Sequence, residues 1–421
     1  MAMRVYLKTL GCRLNEAELE SWKRGFHQQG VLAAEKPDDA DILVVNTCAV
    51  TQEAVRKSRQ LLRRAQRGNP RAKLVVSGCA ATLQPERMAS DLGVDLVVPN
   101  EQKDQLVSLT LNHLDFTAQS AGDMDNDGYR LLAAHRQRAF IKVQDGCRYR
   151  CSYCIVTLAR GAERSRPIED IVRQIRGLEA EGIQEVVLAG VHLGGYGSDL
   201  DSSLTALVES VLEQTHIPRL RLGSLEPWDL PSDFWRLFDN SRLMPHLHLP
   251  MQSGSDSVLR RMSRRCRSDE FLRLVEQAHH QAPQLNITSD IIVGFPGETD
   301  EEWQQTLDFV KAAEFGDLHI FAYSARSGTK AAYLPNQISR ATKRQRSEQL
   351  HQLAQQLKRS AMEKQLGRTA EVLIENRVED YLWAGYTENY MRVLVESADD
   401  LANSCVRLRL RAIENGQLIG E

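Results

Sequence analysis

The chain has 421 residues, room for about three domains of ordinary size, and its 53 Lys+Arg against 56 Asp+Glu leave a formal net charge of -3. That balance excludes a protein that is basic over its whole surface, while leaving local patches open. Hydrophobic residues make up 42% of the chain and no run approaches the roughly 18 apolar residues of a bilayer span, so the sequence reads as soluble. Its start, MAMRVYLKTL, runs directly into a strand pattern without the zones of a signal peptide. The eight cysteines are therefore expected in a reducing cytoplasm, where unusual spacing reads as metal binding or catalysis before disulfide.

Apolar runs at 5–7, 42–45, 74–76 and 96–98 alternate with helical patterns such as 14–29 and 52–66, which predicts a parallel α/β domain over 1–116. The acidic, glycine-containing stretch AGDMDNDG at 121–128 has no apolar period, and 117–136 reads as a linker. A second α/β series follows over 137–366, with strand candidates at 140–143, 185–188, 220–222, 247–249, 287–292 and 319–323. Six β/α steps predict a (β/α)6-type partial barrel with function at the C-terminal strand ends. A long polar helix is expected from 340 to 365, ended by Gly367. The remainder, 367–421, carries short β-rich runs at 371–374, 391–395 and 406–410, and predicts a small β-barrel.

The most specific local signal is Cys147-Arg-Tyr-Arg-Cys151-Ser-Tyr-Cys154. Three thiols in C-x3-C-x2-C can converge on one metal centre and leave one coordination position open. Structural zinc is normally closed by four protein ligands, so zinc would need a distant fourth. Soft thiolates also select iron–sulfur clusters, and an open iron invites a small ligand. Cys12, Cys48 and Cys79 lie 36 and 31 residues apart, which is no local motif. Each follows a predicted strand of the first sheet, however, and parallel strands open on one edge, where distant thiols can meet. Taken singly, each thiol reads equally as a small buried hydrophobe.

The C-x3-C-x2-C loop, with an aromatic before its last cysteine, resembles the signature of the radical S-adenosylmethionine (SAM) superfamily. Together with the motifs around Cys12 (Leu10-Gly11-Cys12-Arg13-Leu14-Asn15), Cys48 (Asn46-Thr47-Cys48) and Cys79 (Ser77-Gly78-Cys79), nearly the whole chain resembles the methylthiotransferase family. The resemblance implies an N-terminal cluster domain, a radical SAM partial barrel and a C-terminal TRAM-like RNA-binding β-barrel. It further implies two [4Fe–4S] clusters, one on Cys12, Cys48 and Cys79 and one on Cys147, Cys151 and Cys154, with SAM as cosubstrate. Cys266 and Cys405 fall outside both sets. SAM contacts are expected in the Gly-rich or strand-end segments that carry Gly190, Gln252, Ser253, Asp290 and Gly294. His246 and His248 flank a strand and read either as facing that site or as satisfied core histidines.

Family members of this kind modify adenosine 37 of tRNA, bearing an isopentenyl or a threonylcarbamoyl group, or an aspartate of a ribosomal protein. The segment from Asn46 through Arg64 resembles the threonylcarbamoyladenosine branch. Between Thr51 and Lys73 stand eight Lys/Arg and one acid, Glu53, and Arg56, Arg63 and Arg67 fall on roughly one helical face beside Cys48, placed for phosphate or carboxylate unless the face is simply solvated. Arg260, Arg261, Arg264, Arg265 and Arg267, then Lys343, Arg344 and Arg346, would extend a basic track. Trp383, Tyr386 and Tyr390 are either base-stacking groups or core. Val156-Thr157, Cys266 and Ser327 depart from the residues usual in the family. The expected partners are tRNA and a low-potential electron donor such as flavodoxin or ferredoxin, with a monomeric chain and no membrane. The rival readings are the isopentenyl or ribosomal substrate and, in another class, a non-catalytic iron–sulfur RNA-binding protein.

Overall fold

Alternation of apolar runs with amphipathic stretches folds the first hundred residues as a parallel sheet. The computed structural model describes residues 3–113 and 137–421; the expected linker lies outside them. The described residues fall into two compact units, one holding 3–113, 145–163 and 324–332, the other 137–144, 164–323 and 333–421. No helix among them is long and apolar enough to cross a membrane.

In the first unit, β1 (Arg4–Thr9), β2 (Leu32–Ala33), β3 (Ile42–Thr47), β4 (Lys73–Gly78) and β5 (Leu96–Val98) pair in parallel in the order β2-β1-β3-β4-β5. Side chains alternate across the pleat. Val5, Leu7, Ile42 and Val44 pack with Leu19, Trp22 and Phe26 of α1 (Arg13–Gln28), while Leu43, Val45, Leu74 and Val76 pack with Leu62 and Ala65 of α2 (Gln52–Gly68). Three further helices follow, α3 (Cys79–Leu83), α4 (Pro85–Leu92) and α5 (Leu106–His113). The cysteine loop 145–163 ends in a short helix, α6 (Val156–Arg160).

In the second unit six parallel strands run in chain order. They are β6 (Arg138–Lys142), β7 (Glu185–Ala189), β8 (Arg219–Leu222), β9 (His246–His248), β10 (Asn286–Val293) and β11 (Asp317–Ala322). They form two three-stranded sheets, joined by isolated bridges such as Ser224 to His248. The helices between them, α7 (Ile168–Ala180), α8 (Leu204–Gln214), α9 (Asp256–Met262), α10 (Ser268–Gln281) and α11 (Asp300–Ala313), share one hydrophobic core with the strands. The long helix α12 (Arg340–Glu363) adds Leu350 and Ala354 to that core.

The C-terminal stretch contains five strands rather than the three expected. They are β12 (Thr369–Glu379), β13 (Leu382–Tyr386), β14 (Arg392–Glu396), β15 (Cys405–Glu414) and β16 (Gln417–Gly420), and they pair round into a closed ring. The two unexpected strands each follow a tight turn through left-handed backbone, at Tyr381 (φ 65°) and at Asn415-Gly416 (φ 48° and 72°).

The ring is fastened to the N-terminal ends of the parallel strands by a buried charge cluster. Glu185 accepts Arg138 at 2.6 Å and Arg219 and Arg221 at 3.0 Å. Burial alone would raise its carboxyl, and the three guanidinium groups overcome this and hold it well below the usual carboxylate range. The arginines reach on into the ring, Arg138 to Glu375 (2.7 Å), Arg219 to the carbonyls of Glu371 and Thr387, and Arg221 to that of Glu388. Tyr386 and Tyr390 stack on each other with centroids 4.8 Å apart, and Arg138 lies over both. Trp383 is buried in the core of the ring and is a packing group, while Tyr386 and Tyr390 are half-buried.

Candidate metal centres

Cys12, Cys48 and Cys79 stand just past the ends of β1, β3 and β4, three neighbouring strands, so parallel pairing delivers all three to one sheet edge. Cys12 is the N-cap of α1, Cys79 opens α3, and Cys48 lies in the turn before α2, whose N-cap Thr51 accepts from the Ala54 amide. Close approach there demands glycine. At Gly11 (φ 112°) an added Cβ would sit 2.7 Å from the Cys48 Cβ and 2.9 Å from its Sγ, and Gly78 (φ 94°) lies against the Thr47 backbone. Burial pushes the Cys48 thiol up to about 11, with Cys12 and Cys79 near enough to add to it. Without a metal the Cys48 thiol stays protonated near neutral pH, and iron ligation would stabilise its thiolate.

The second set lies in the same unit. Cys147 N–H donates to the Gly161 carbonyl (3.1 Å), Cys154 N–H to the Cys151 carbonyl (3.0 Å), and the Thr157 hydroxyl to the Tyr149 carbonyl (3.0 Å). Val156 N–H points at the Cys154 Sγ at 3.4 Å, a contact that a proline at this position would lack. The 324–332 segment joins both sets. Ala331 N–H bonds the Ser152 carbonyl, and Gln52, at the start of α2, bonds Ser324 and Ala325. Arg326 of that segment is within electrostatic reach of Cys48.

Each triad offers three thiolates and leaves one coordination position open, which fits an iron–sulfur cluster, whereas structural zinc is normally closed by four protein ligands.

Sequence reasoning missed the polar structure behind the triad of Cys12, Cys48 and Cys79, the auxiliary triad. Arg160, 2% exposed, donates to Asp145 (2.8 Å), Glu18 (2.9 Å) and the Asn15 Oδ1 (2.8 Å). Glu18 also takes the buried Lys103 at 2.7 Å. The available signal was the pattern of α1, where Asn15 and Glu18 interrupt the buried face between Leu14 and Leu19.

In the second unit Gly190, Gln252 and Gly294 follow the C-terminal ends of β7, β9 and β10. Gln252 (φ 79°) and Gly294 (φ 72°) both adopt left-handed backbone. Ser253 is buried against Thr306 of α11, which leaves its hydroxyl committed to packing. Asp290 is also engaged, its Oδ1 taking His248 at 3.2 Å and His319 at 3.1 Å, so burial, which would raise its carboxyl, is overcome. His246 is a core histidine, bonded to Thr288 and held neutral by burial. Near the ends of β7 and β8, His192 meets Asp229 at 2.6 Å beside Glu226, whose carboxyl burial pushes up to about 7.

Arg56, Arg63 and Arg67 are exposed on α2, with Arg56 paired to Glu53 at 2.6 Å. Of the further basic track, Arg260, Arg265, Arg267 and Arg344 are exposed and three other members are engaged within the protein. Arg346 is buried on Glu298 and Asp300, Arg261 pairs with Glu302, and Arg264 turns inward to the Pro250 carbonyl over Trp228. Unforeseen instead is β15, where Arg407, Arg409 and Arg411 are exposed and alternate with Leu408 and Leu410 of the ring core.

The family profile described as "Uncharacterized protein family UPF0004" matches residues 4–99, and that of the "Radical SAM superfamily" matches 141–310. The chain is 34% identical to the threonylcarbamoyladenosine tRNA methylthiotransferase MtaB of Bacillus subtilis, over 96% of this chain and 93% of the other. It is 32% identical to a tRNA-2-methylthio-N(6)-dimethylallyladenosine synthase of Akkermansia muciniphila, over 99% and 98%. Among solved structures it is similar in fold to the radical SAM methyltransferase TsrM of Kitasatospora setae (TM-score 0.60, 15% identity, 79% of this chain and 77% of that one). With two cysteine triads in place and relatives aligned almost end to end, the chain belongs to the radical SAM methylthiotransferase family.

Proposed function

We propose that the protein replaces the C2 hydrogen of N6-threonylcarbamoyladenosine, at position 37 of tRNA, with a methylthio group. One observation carries the reading, namely that two separate thiol triads, each fit for a four-iron cluster, are built into one compact unit of a chain whose relatives include a threonylcarbamoyladenosine methylthiotransferase. When bound, the two clusters and SAM supply a radical able to open an unactivated C–H bond and the sulfur and methyl to be joined there. The chain's own residues hold and orient. Six thiolates anchor the metal, Gly11 and Gly78 let the first triad close up, and Val156 N–H supports Cys154.

Gly190, Gln252 and Gly294, at strand ends with backbone open to close approach, are the proposed SAM-side contacts. The tRNA is proposed to meet the exposed arginines of α2 and the Arg407, Arg409 and Arg411 face of the terminal ring, which we take as a TRAM-like RNA-binding barrel. A low-potential flavodoxin or ferredoxin in the cytoplasm would supply electrons to a monomeric enzyme.

The test is mass spectrometry of tRNA nucleosides from a deletion strain and its complemented parent. Loss of the methylthio-threonylcarbamoyl nucleoside, restored on complementation, supports the assignment. Its persistence, with loss of the methylthio-isopentenyl nucleoside instead, moves the substrate to the other branch.

A further inference from the structure

A guanidinium buried behind one cysteine triad grows out of the helix that ends the other triad's loop. Arg160 is the last residue of α6, six positions after Cys154, and its side chain is 1% exposed. It grips Asp145, two positions before Cys147, so it closes the base of the SAM-cluster loop. The same group donates to Asn15 and Glu18 on α1, the helix that Cys12 caps. Asn15 carries the grip onward, because its Nδ2 donates to the carbonyls of Leu10 (2.8 Å) and Thr47 (3.3 Å), the latter next to Cys48, and its Oδ1 is 3.7 Å from the Cys12 Sγ. Asn100 makes a parallel link, with its Nδ2 2.6 Å from the Ala159 carbonyl and 3.8 Å from the Cys79 Sγ. Cys12 and Cys79 are thus connected through one asparagine each to the last two residues of α6, and Cys48 is reached through the carbonyl of its neighbour Thr47.

The charge count is as specific as the geometry. Two buried cations, Arg160 and Lys103, stand against two buried anions, Glu18 and Asp145. The set is neutral as built, and without the guanidinium it would hold a net negative charge behind the auxiliary thiols, in a medium where charge is poorly screened. Only arginine offers several donors in a fixed fork that can serve three acceptors at once.

We propose that Arg160 is a positioning residue that fixes the two cysteine triads relative to each other and, through its charge, sets the reduction potential at the auxiliary triad. This rests on the two-cluster reading above. A cation beside a cluster stabilises the more negative, reduced state, so removing it moves the potential down.

The test is an EPR-monitored redox titration of full-length protein in which Cys147, Cys151 and Cys154 are alanine, leaving only the auxiliary cluster. In this parent we compare Arg160→Gln, Arg160→Lys and the double variant Arg160→Gln with Glu18→Gln. The glutamine variant is expected to titrate at a more negative potential, the lysine variant near the parent, and the double variant, neutral again, to return toward it. In the six-cysteine protein, both Arg160→Lys and the double variant are expected to release more 5′-deoxyadenosine per methylthio product than wild type, since charge is restored but the fork is not. A parent that binds no four-iron cluster overturns the two-cluster reading itself. A parent that binds it, with unchanged potential in Arg160→Gln or unchanged product ratio in the six-cysteine variants, overturns the role of Arg160 alone.

Discussion

Two buried ionic clusters among the described residues differ in what they touch. In the second unit, Arg138, Arg219 and Arg221 converge on Glu185, with the Cys405 thiol beside Arg219, and their spare donors go to Glu375 and to backbone carbonyls of the terminal ring. In the first unit, Arg160 and Lys103 balance Glu18 and Asp145, and the spare donor goes to Asn15 beside Cys12. Both have paid the desolvation cost that makes buried ion pairs weak stabilisers on average. What separates them is what the leftover valence touches, fastening a domain in one case and holding a metal site in the other. Each can be broken separately.

The largest expected effect is on chemistry. Alanine at Cys147, Cys151 or Cys154 should abolish both 5′-deoxyadenosine release and methylthiolation. Alanine at Cys12, Cys48 or Cys79 should abolish methylthiolation while reconstituted protein still cleaves SAM, as read by chromatography of the two products. Equal loss of both activities from the two sets would mean that the triads do not divide the work. Next comes stability. Glu185→Gln takes the shared carboxylate from three buried guanidinium groups, of which Arg138 keeps Glu375, and should cost about 3 to 5 kcal/mol in urea unfolding, while the iron content of the protein that remains folded stays at the wild-type level. A cost under about 1 kcal/mol, the range of an exposed ion pair, would show that the cluster is not a fastening.

The third effect is on RNA. Alanine at Arg407, Arg409 and Arg411 together should weaken tRNA binding and lower the slope of log K against log salt by about 2 to 3, as expected for three lost phosphate contacts. An unchanged slope would remove β15 from the interface. The smallest effect concerns Glu226, which faces His192, Asp229 and Arg264. Its carboxyl titrates near 7 in the folded protein, above its ordinary value of 4.5, so between those values the native state holds a proton that the unfolded chain has lost. Stability should therefore fall as pH rises through that window. Glu226→Gln should flatten that part of a melting profile, and an identical profile in the variant would contradict the assignment.

The sequence carried what depends on periodicity and local spacing. The parallel strands that place Cys12, Cys48 and Cys79 on one edge were readable because each apolar run ends a few residues before its cysteine. The C-x3-C-x2-C loop was readable because three soft ligands within eight residues have few other uses. Contacts made across long sequence separations were not readable. Arg160 and Glu18 are 142 residues apart, and nothing local in the sequence ties one to the other. Arg346 and Arg264 seemed to belong to a basic track because charge says nothing of direction, and both point into the protein. Tyr386 and Tyr390 are aromatic and half-buried, and their packing against Arg138 and Arg221 was not readable from the sequence. The Arg407, Arg409 and Arg411 face was open to view in the strict alternation of Val-Arg-Leu-Arg-Leu-Arg, a period of two that marks a strand with one wet side.

The central claim is that one compact unit carries two iron–sulfur centres. Mössbauer spectroscopy with metal analysis of the anaerobically reconstituted protein tests it most directly. The account predicts about eight irons per chain, all in four-iron clusters and falling to about four when either triad is replaced by alanine. About four irons in the wild-type chain, or zinc in place of iron, would contradict it.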